Sequence, residues 1–224
     1  MKRSEINRAI REAEEFFAVH DFELPKFSRR APGNWDFSGR DRAIVECGLG
    51  WDITDFGHGN FAAEGLLLFT LRNGVAGSAR HPKPYAEKLM ISRENQKTLT
   101  HCHIFKTEDI INRGGGLLAF HLWNRTADDQ LADTQVQVMR DGEMLTVAPG
   151  EKLLISPGES LTLTPGMFHL FYAEKGSGDV MIGEVSAVND DHHDNVFYGV
   201  QQRFPSVEED EVPYRLLVAD YPAL

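Results

Sequence analysis

His101 and His103 stand two residues apart in the run Thr100-His101-Cys102-His103-Ile104. Read as a strand, that run projects both imidazoles from one face, while Cys102 and Ile104 face the other way. Glu108 follows five residues after His103, and the intervening Phe105-Lys106-Thr107 reads as a turn or strand end that folds it back toward them. His169 comes about sixty residues later, just past Pro165-Gly166. Three imidazoles and a carboxylate suit a divalent transition metal with coordination positions left open for a substrate. An isolated H-x-H pair is also what two solvent-facing strand histidines look like. Glu108 and the later P-G-x-x-H element turn the balance toward a metal enzyme.

These side chains need a scaffold, and the sequence supplies strands. From about residue 65 short apolar runs alternate with turn residues: Leu66 to Leu71 before Asn73-Gly74, then Glu87 to Ile91 after Pro82 and Pro84. Gln135 to Met139 and Met144 to Val147, joined through Asp141-Gly142, carry a strong hairpin signal. Lys152 to Ile155, Ser160 to Leu163, Phe168 to Tyr172 and Val180 to Val188 follow, separated by Pro157-Gly158, Pro165-Gly166 and Gly176-Ser177-Gly178. Gly114-Gly115-Gly116 permits a tight reversal before Leu117 to Trp123, and lacks the helix and lysine of a phosphate cradle. Many short strands at this spacing predict an all-β-dominated sandwich or barrel. One clear helix precedes them, from residue 4 to about 19, with Ile6, Ala9, Ile10, Ala13, Phe16 and Phe17 at helical spacing and Ser4 as its N-cap. Residues 60–65 offer a weaker helical segment.

The 224-residue chain accommodates one sizeable core, and it shows no repeat or linker. The expectation is a single domain over 1–224: a helix and covering segment over 1–64, a barrel core over 65–200 and a C-terminal segment over 201–224. A net charge of −11 argues against nucleic acid and anionic membranes as partners. Two cysteines, Cys47 and Cys102, cannot frame a disulfide scaffold. No apolar stretch follows Lys2-Arg3, and none approaches the ~20 residues of a spanning helix, so a cytoplasmic location is expected.

The spacing His101, His103, Glu108, Gly115 resembles the first signature of the cupin superfamily, and Gly158, Pro165-Gly166 and His169 resemble the second. Asn95 replaces the glycine expected before the first histidine, Ala173 replaces the asparagine expected after the last, and one extra residue separates Gly158 from Pro165. The resemblance implies a double-stranded β-helix, or jelly-roll barrel, with the metal inside it and His101, His103, Glu108 and His169 as ligands. A closer likeness spans nearly the whole chain. The Ser4-Glu5-Ile6-Asn7 helix, the run Glu108 to Gly116, and Glu184-Val185-Ser186 with Asn189-Asp190-Asp191 and Asp194-Asn195 are similar to the D-lyxose ketol-isomerase family. That likeness implies a manganese-dependent homodimer interconverting D-lyxose and D-xylulose, and often D-mannose and D-fructose.

Such a reaction moves a proton between C2 and C1 through an enediol, so it needs a base for carbon and an acid for oxygen. Mixed His and carboxylate ligation suits Mn²⁺, Fe²⁺, Co²⁺ or Zn²⁺ without choosing among them. Glu184 sits in the otherwise apolar run Val180 to Val185, where an inward carboxylate is costly unless paired or used. Lys88 shows the same tension in its strand, and Lys106 lies within the ligand segment. Glu184 and Lys106 lead as catalytic candidates, with Lys88 and Asp191 behind them. Outward placement of Glu184 and Lys88 on exposed sheet faces is the competing arrangement, and a solvated turn lysine is the lesser alternative for Lys106. Asp190, Asp191 and Asp194 suit sugar hydroxyls as a cluster and turns as individuals, Asp194 above all as a loop cap.

His121 reads as a satisfied core histidine, and His192 and His193 as surface residues. Trp35, Trp51, Trp123 and Phe171 read first as packing. Two other enzyme classes compete: a phosphosugar isomerase, if Arg113, Arg125 and Arg203 converge, and an iron-dependent cupin dioxygenase. A sugar-sensing or metal-binding module without an acid–base pair is the non-enzymatic alternative.

Overall fold

The computed structural model describes residues 1–190, 193–199 and 206–223. Helix α1 (Arg3–Val19) buries Ile6, Ala9, Ile10, Ala13 and Phe17, the stripe its periodicity predicts. It begins one residue before Ser4, because the C-terminal segment competes for that end. Lys2 bridges to Glu208, and the Ser4 hydroxyl donates to Asp210 at 2.7 Å instead of capping the helix. A short second helix, α2 (Arg42–Glu46), lies in the covering segment. Residues 60–65 form a turn rather than a helix, with Ala63 and Glu64 amides on the Asn60 carbonyl and Gly65 N–H on the Lys97 carbonyl.

The strands fall into two antiparallel sheets. In sequence they are β1 (Gly50–Thr54), β2 (Leu66–Arg72), β3 (Tyr85–Ser92), β4 (His101–His103), β5 (Glu108–Gly115), β6 (Leu118–Asn124) and β7 (Val136–Arg140). The rest are β8 (Glu143–Val147), β9 (Lys152–Ile155), β10 (Ser160–Leu163), β11 (Met167–Ala173), β12 (Val180–Ala187) and β13 (Asn195–Phe197). The larger sheet runs β1-β2-β3-β12-β5-β10-β7-β8 and the smaller β13-β4-β11-β6-β9. Neighbours in space are mostly distant in sequence, as in a jelly roll. The fold is the all-β-dominated cupin barrel with an N-terminal helix that the sequence implies. Covering residues 1–64 also supply the edge strand β1, which sequence patterning missed.

Local chemistry sets the turns. Asp141 and Gly142 both take positive φ, 49° and 90°, which makes the β7–β8 connection the predicted two-residue hairpin. Between β5 and β6 a Cβ on Gly115 would lie 2.1 Å from the Asp179 carbonyl oxygen, so the reversal there requires glycine.

Two apolar cores explain why β2, β3 and β12 read as near-continuous apolar runs. Their inner face, with Leu68, Met90 and Ile182, meets Phe120, Leu122 and Phe171 of the smaller sheet. Their outer face, with Leu67, Phe69, Leu89, Ile91 and Met181, is roofed by α1. A strand covered on both sides has no cheap place for a charge. Lys88 and Glu184 nonetheless share the inner face, opposite one another in register on β3 and β12.

Candidate active site between the sheets

The smaller sheet carries the histidines. His101 on β4 pairs directly with His169 on β11, and His103 lies one alternation further along β4. The three rings converge, their ligating atoms all within 4.8 Å of one another. His103 and His169 are buried, while His101 is partly open to the cavity. The larger sheet contributes Glu108 at the start of β5, brought there by the turn at 104–107. Its Oε1 lies 3.3 Å from the Nε2 of both His103 and His169.

Tautomers can be read from the partners of the rings. Nδ1 of His101 lies 2.8 Å from the Leu99 carbonyl, and Nδ1 of His169 lies 3.0 Å from the Met167 carbonyl. A carbonyl only accepts, so both rings carry their proton on Nδ1 and present a lone pair at Nε2. The buried Nε2 atoms of His103 and His169 make no hydrogen bond. The lone pair of His169 Nε2 therefore faces a carboxylate oxygen with no donor between them, an arrangement satisfied by a cation. Burial, then the neighbouring His169 and His103, holds His101 well below the ordinary histidine range, so it stays neutral and able to ligate. The three-histidine group can bind a metal ion.

A second cluster adjoins the first. Lys88 Nζ and Lys106 Nζ each donate to Glu184 Oε1 at 3.1 Å, and the Ser186 hydroxyl donates to the same oxygen at 3.0 Å. Lys106 also lies 2.8 Å from Glu108 Oε2, linking the two clusters. All four charged side chains are at least 94% buried and sum to zero charge. Burial disfavours the Lys106 ammonium, but Glu108 and Glu184 outweigh it and raise its pKa, so Lys106 stays charged. Burial likewise pushes Glu184 up, but Lys106 and Lys88 prevail and hold its carboxyl below the usual range. For Glu108 the same contest ends well below that range, through Lys106 and His103.

One cavity gathers His101, His103, Glu108, Lys106, Lys88 and Glu184, with walls that include Phe171, Phe197 and Met90. Glu184 and Lys88 thus point inward, and Lys106 is not a solvated turn lysine. Asp191, His192 and Arg203 lie outside the described residues. Asp194 caps the turn at Ile104 and Phe105. His193 is exposed beside Asp190, and His121 is satisfied by the Gly150 carbonyl and the Tyr172 hydroxyl. Arg113 is exposed, and Arg125 is tied to Asp129.

The profile described as D-lyxose isomerase matches residues 1–221 of the chain. The D-lyxose/D-mannose isomerase of Escherichia coli O157:H7 is 46% identical over 99% of this chain and 98% of its own. The enzyme of the same name from Serratia proteamaculans is 47% identical with the same coverage. The chain belongs to the D-lyxose isomerase family. Members of that family are aldose–ketose isomerases, and the relationship spans both sheets and α1. Among solved structures, the L-ribose isomerases of Cellulomonas parahominis, without ligand, and of Geodermatophilus obscurus each superpose with a TM-score of 0.61. They are 15% and 14% identical and match 93% of this chain and 98% of their own, a likeness of fold.

Within this family member, sequence reasoning overlooked Asp52, Thr54, Asn195 and Phe197, which also line the cavity. A signal existed for the first two: in Trp51-Asp52-Ile53-Thr54 the polar residues alternate with apolar ones, the mark of a half-buried strand. Asn195 and Phe197 reach the site because β13 pairs with β4, opposite His103 and His101.

Proposed function

We propose that the protein is a Mn²⁺-dependent aldose–ketose isomerase interconverting D-lyxose and D-xylulose, and D-mannose and D-fructose. We further take it to act as one 1–224 domain, in a cytoplasmic homodimer. The observation that carries the reading is the Glu184 carboxylate, held between two ammonium groups in the cavity that His101 and His103 line. His101, His103, Glu108 and His169 would hold the ion, and Co²⁺, Fe²⁺ or Zn²⁺ would fit the same donors. When bound, the ion polarises the substrate carbonyl and stabilises negative charge on oxygen.

This chain's own residues do the rest. Glu184 Oε1 is saturated by Lys88, Lys106 and Ser186, while Oε2 makes no hydrogen bond among the described residues. Oε2 is the atom that takes the proton from C2 of the aldose and returns it to C1, while the O2 hydroxyl proton passes to O1, leaving a ketone at C2 and a hydroxyl at C1. Lys106, fixed as an ammonium, donates to the oxygen on which charge develops. Lys88 holds Glu184 in place, and Asp191 remains a further candidate for the proton transfers between oxygens. The apolar walls keep bulk water from exchanging with the carried proton. Both cavity lysines are already neutralised by glutamates, which disfavours a phosphosugar; so much buried charge disfavours the apolar substrate expected of a cupin dioxygenase.

The test is to strip the protein with chelator, restore Mn²⁺, Co²⁺, Fe²⁺ or Zn²⁺ separately, and assay ketose formation from D-lyxose and D-mannose. Turnover returning with Mn²⁺ is expected. Tight binding of one ion per chain with no turnover of any free aldose would refute the substrate assignment. Light scattering of the eluted protein reads the oligomeric state.

A further inference from the structure

The three histidines are not oriented alike. His101 and His169 are each held by a main-chain carbonyl two residues upstream. His103 has no such anchor: its Nδ1 and Nε2 are both buried without a hydrogen bond. The acceptor that faces its Nδ1 is Asp194 Oδ2, at 3.5 Å. Asp194 is itself pinned. Its Oδ1 accepts from the Ile104 and Phe105 amides at 3.0 and 2.6 Å, its backbone carbonyl accepts from Ile104 at 2.9 Å, and only 5% of its surface is exposed.

We infer that Asp194 is a positioning residue for the metal centre: its carboxylate selects the Nδ1–H tautomer of His103 and aims Nε2 at the ion. The inference rests on the metal-binding reading above. One carboxylate then does two jobs. Oδ1 closes the turn that carries the chain from β4 to Glu108, and Oδ2 fixes the ring at the start of that turn. A buried anion behind an imidazole also raises its basicity as a ligand. The donor set is thus completed from the segment between β12 and β13, although the ligands themselves come from β4, β5 and β11.

Asp194→Asn separates the two jobs. An amide oxygen can still accept from Ile104 and Phe105, but the amide NH₂ must then face His103 Nδ1. A donor there favours the tautomer with its proton on Nε2, the wrong nitrogen to present. Titrating metal-free wild type and variant with Co²⁺, followed by visible absorption and calorimetry, reads the effect. The variant should bind Co²⁺ about 10- to 100-fold more weakly while melting with the metal-free wild type. Equal Co²⁺ affinity in the two proteins would overturn the inference. Should the variant fail to fold, ¹⁵N shifts of the imidazoles in metal-free wild type decide independently. They should show His103 protonated on Nδ1, and a proton on Nε2 would overturn the assignment. A wild type that binds no Co²⁺ at all would instead sink the metal reading, and this inference with it.

Discussion

Replacing Glu184 by glutamine separates what this carboxylate does for folding from what it does for turnover. Its Oε1 lies 3.1 Å from two ammonium nitrogens. At an effective dielectric of about 20, each contact is worth roughly 5 kcal/mol of Coulomb attraction. Most of that is offset by the cost of taking the carboxylate out of water. Breaking such a buried arrangement typically costs about 3–5 kcal/mol net, because an unbalanced charge stays behind. Here Lys88 and Lys106 would face Glu108 alone. For a chain of this length about 2–4 °C is lost per kcal/mol, so the metal-free variant should melt roughly 6–20 °C lower. Turnover should fall by about 10²–10⁴, the usual contribution of a positioned base.

The second substitution makes the argument refutable. In Lys88→Met/Glu184→Gln the surplus positive charge is gone, so much of the melting temperature should return. Turnover should not, because the proton acceptor is still absent. Differential scanning calorimetry of metal-free protein and a ketose assay with saturating Mn²⁺ give the two numbers. If Glu184→Gln keeps turnover within tenfold of wild type, Glu184 is not the base. If the double variant recovers turnover together with stability, Glu184 acts only by balancing charge, and the base lies elsewhere.

Lys106→Met should lower kcat by about 10²–10³, the loss seen when one oxyanion donor is removed; unchanged kcat on D-lyxose would remove Lys106 from the mechanism. His103→Ala and His169→Ala should abolish tight Co²⁺ binding by calorimetry while circular dichroism still shows the barrel, and retained tight binding in either would break the ligand set. Ile10→Ala empties a fully buried position between α1 and the larger sheet. It should cost about 2–5 kcal/mol in a denaturant titration, and a loss below 1 kcal/mol would mean that the helix roof contributes little. Burial raises the Asp41 carboxyl, but the Asp36 amide and the Arg30 guanidinium outweigh it and depress the folded pKa. A depressed folded pKa gives stability that is complete above the unfolded value, about 3.9, and lost as pH falls below it. The melting-temperature gap between wild type and Asp41→Asn should therefore be constant from pH 5.5 to 7 and close below pH 4; a gap unchanged at pH 3 would contradict this.

What was legible in the sequence was whatever could be read against a local expectation. Glu184 and Lys88 stood out because each interrupts a run that is apolar on both faces of its strand, and a charge there requires a partner. The structure supplies it in register, each answering the other. His101 and His103 were legible through alternation, and the β7–β8 hairpin through Asp141-Gly142. Ser4 misled because capping preference is local, whereas its hydroxyl is claimed by Asp210 from the far end of the chain. The strand β1 was missed because its one alternating run, Trp51-Asp52-Ile53-Thr54, is short and stands alone in an otherwise irregular covering segment.

Asp194 marks the boundary of that kind of reading. Its type and place in a polar segment fit a loop cap, and it is one. Yet the loop it caps lies ninety residues upstream, and only the pairing of β13 with β4 brings its second oxygen to His103. A site built across two sheets divides its chemistry accordingly. The histidines follow from one strand's alternation and one cross-strand pair, so their convergence is nearly local. The Lys88–Glu184–Lys106 cluster comes from the facing sheet and the turn before β5, and its charge balance exists only once the barrel closes. In the proposed assignment the histidine ligands come from one sheet and the proton acceptor from the other, with Glu108 on β5 joining them through Lys106. On that argument, substitutions on the histidine side should lower Co²⁺ affinity first, and those at Glu184 should lower turnover with affinity nearly unchanged. A Glu184→Gln protein that lost metal affinity as steeply as His169→Ala would show instead that the two clusters act as one unit.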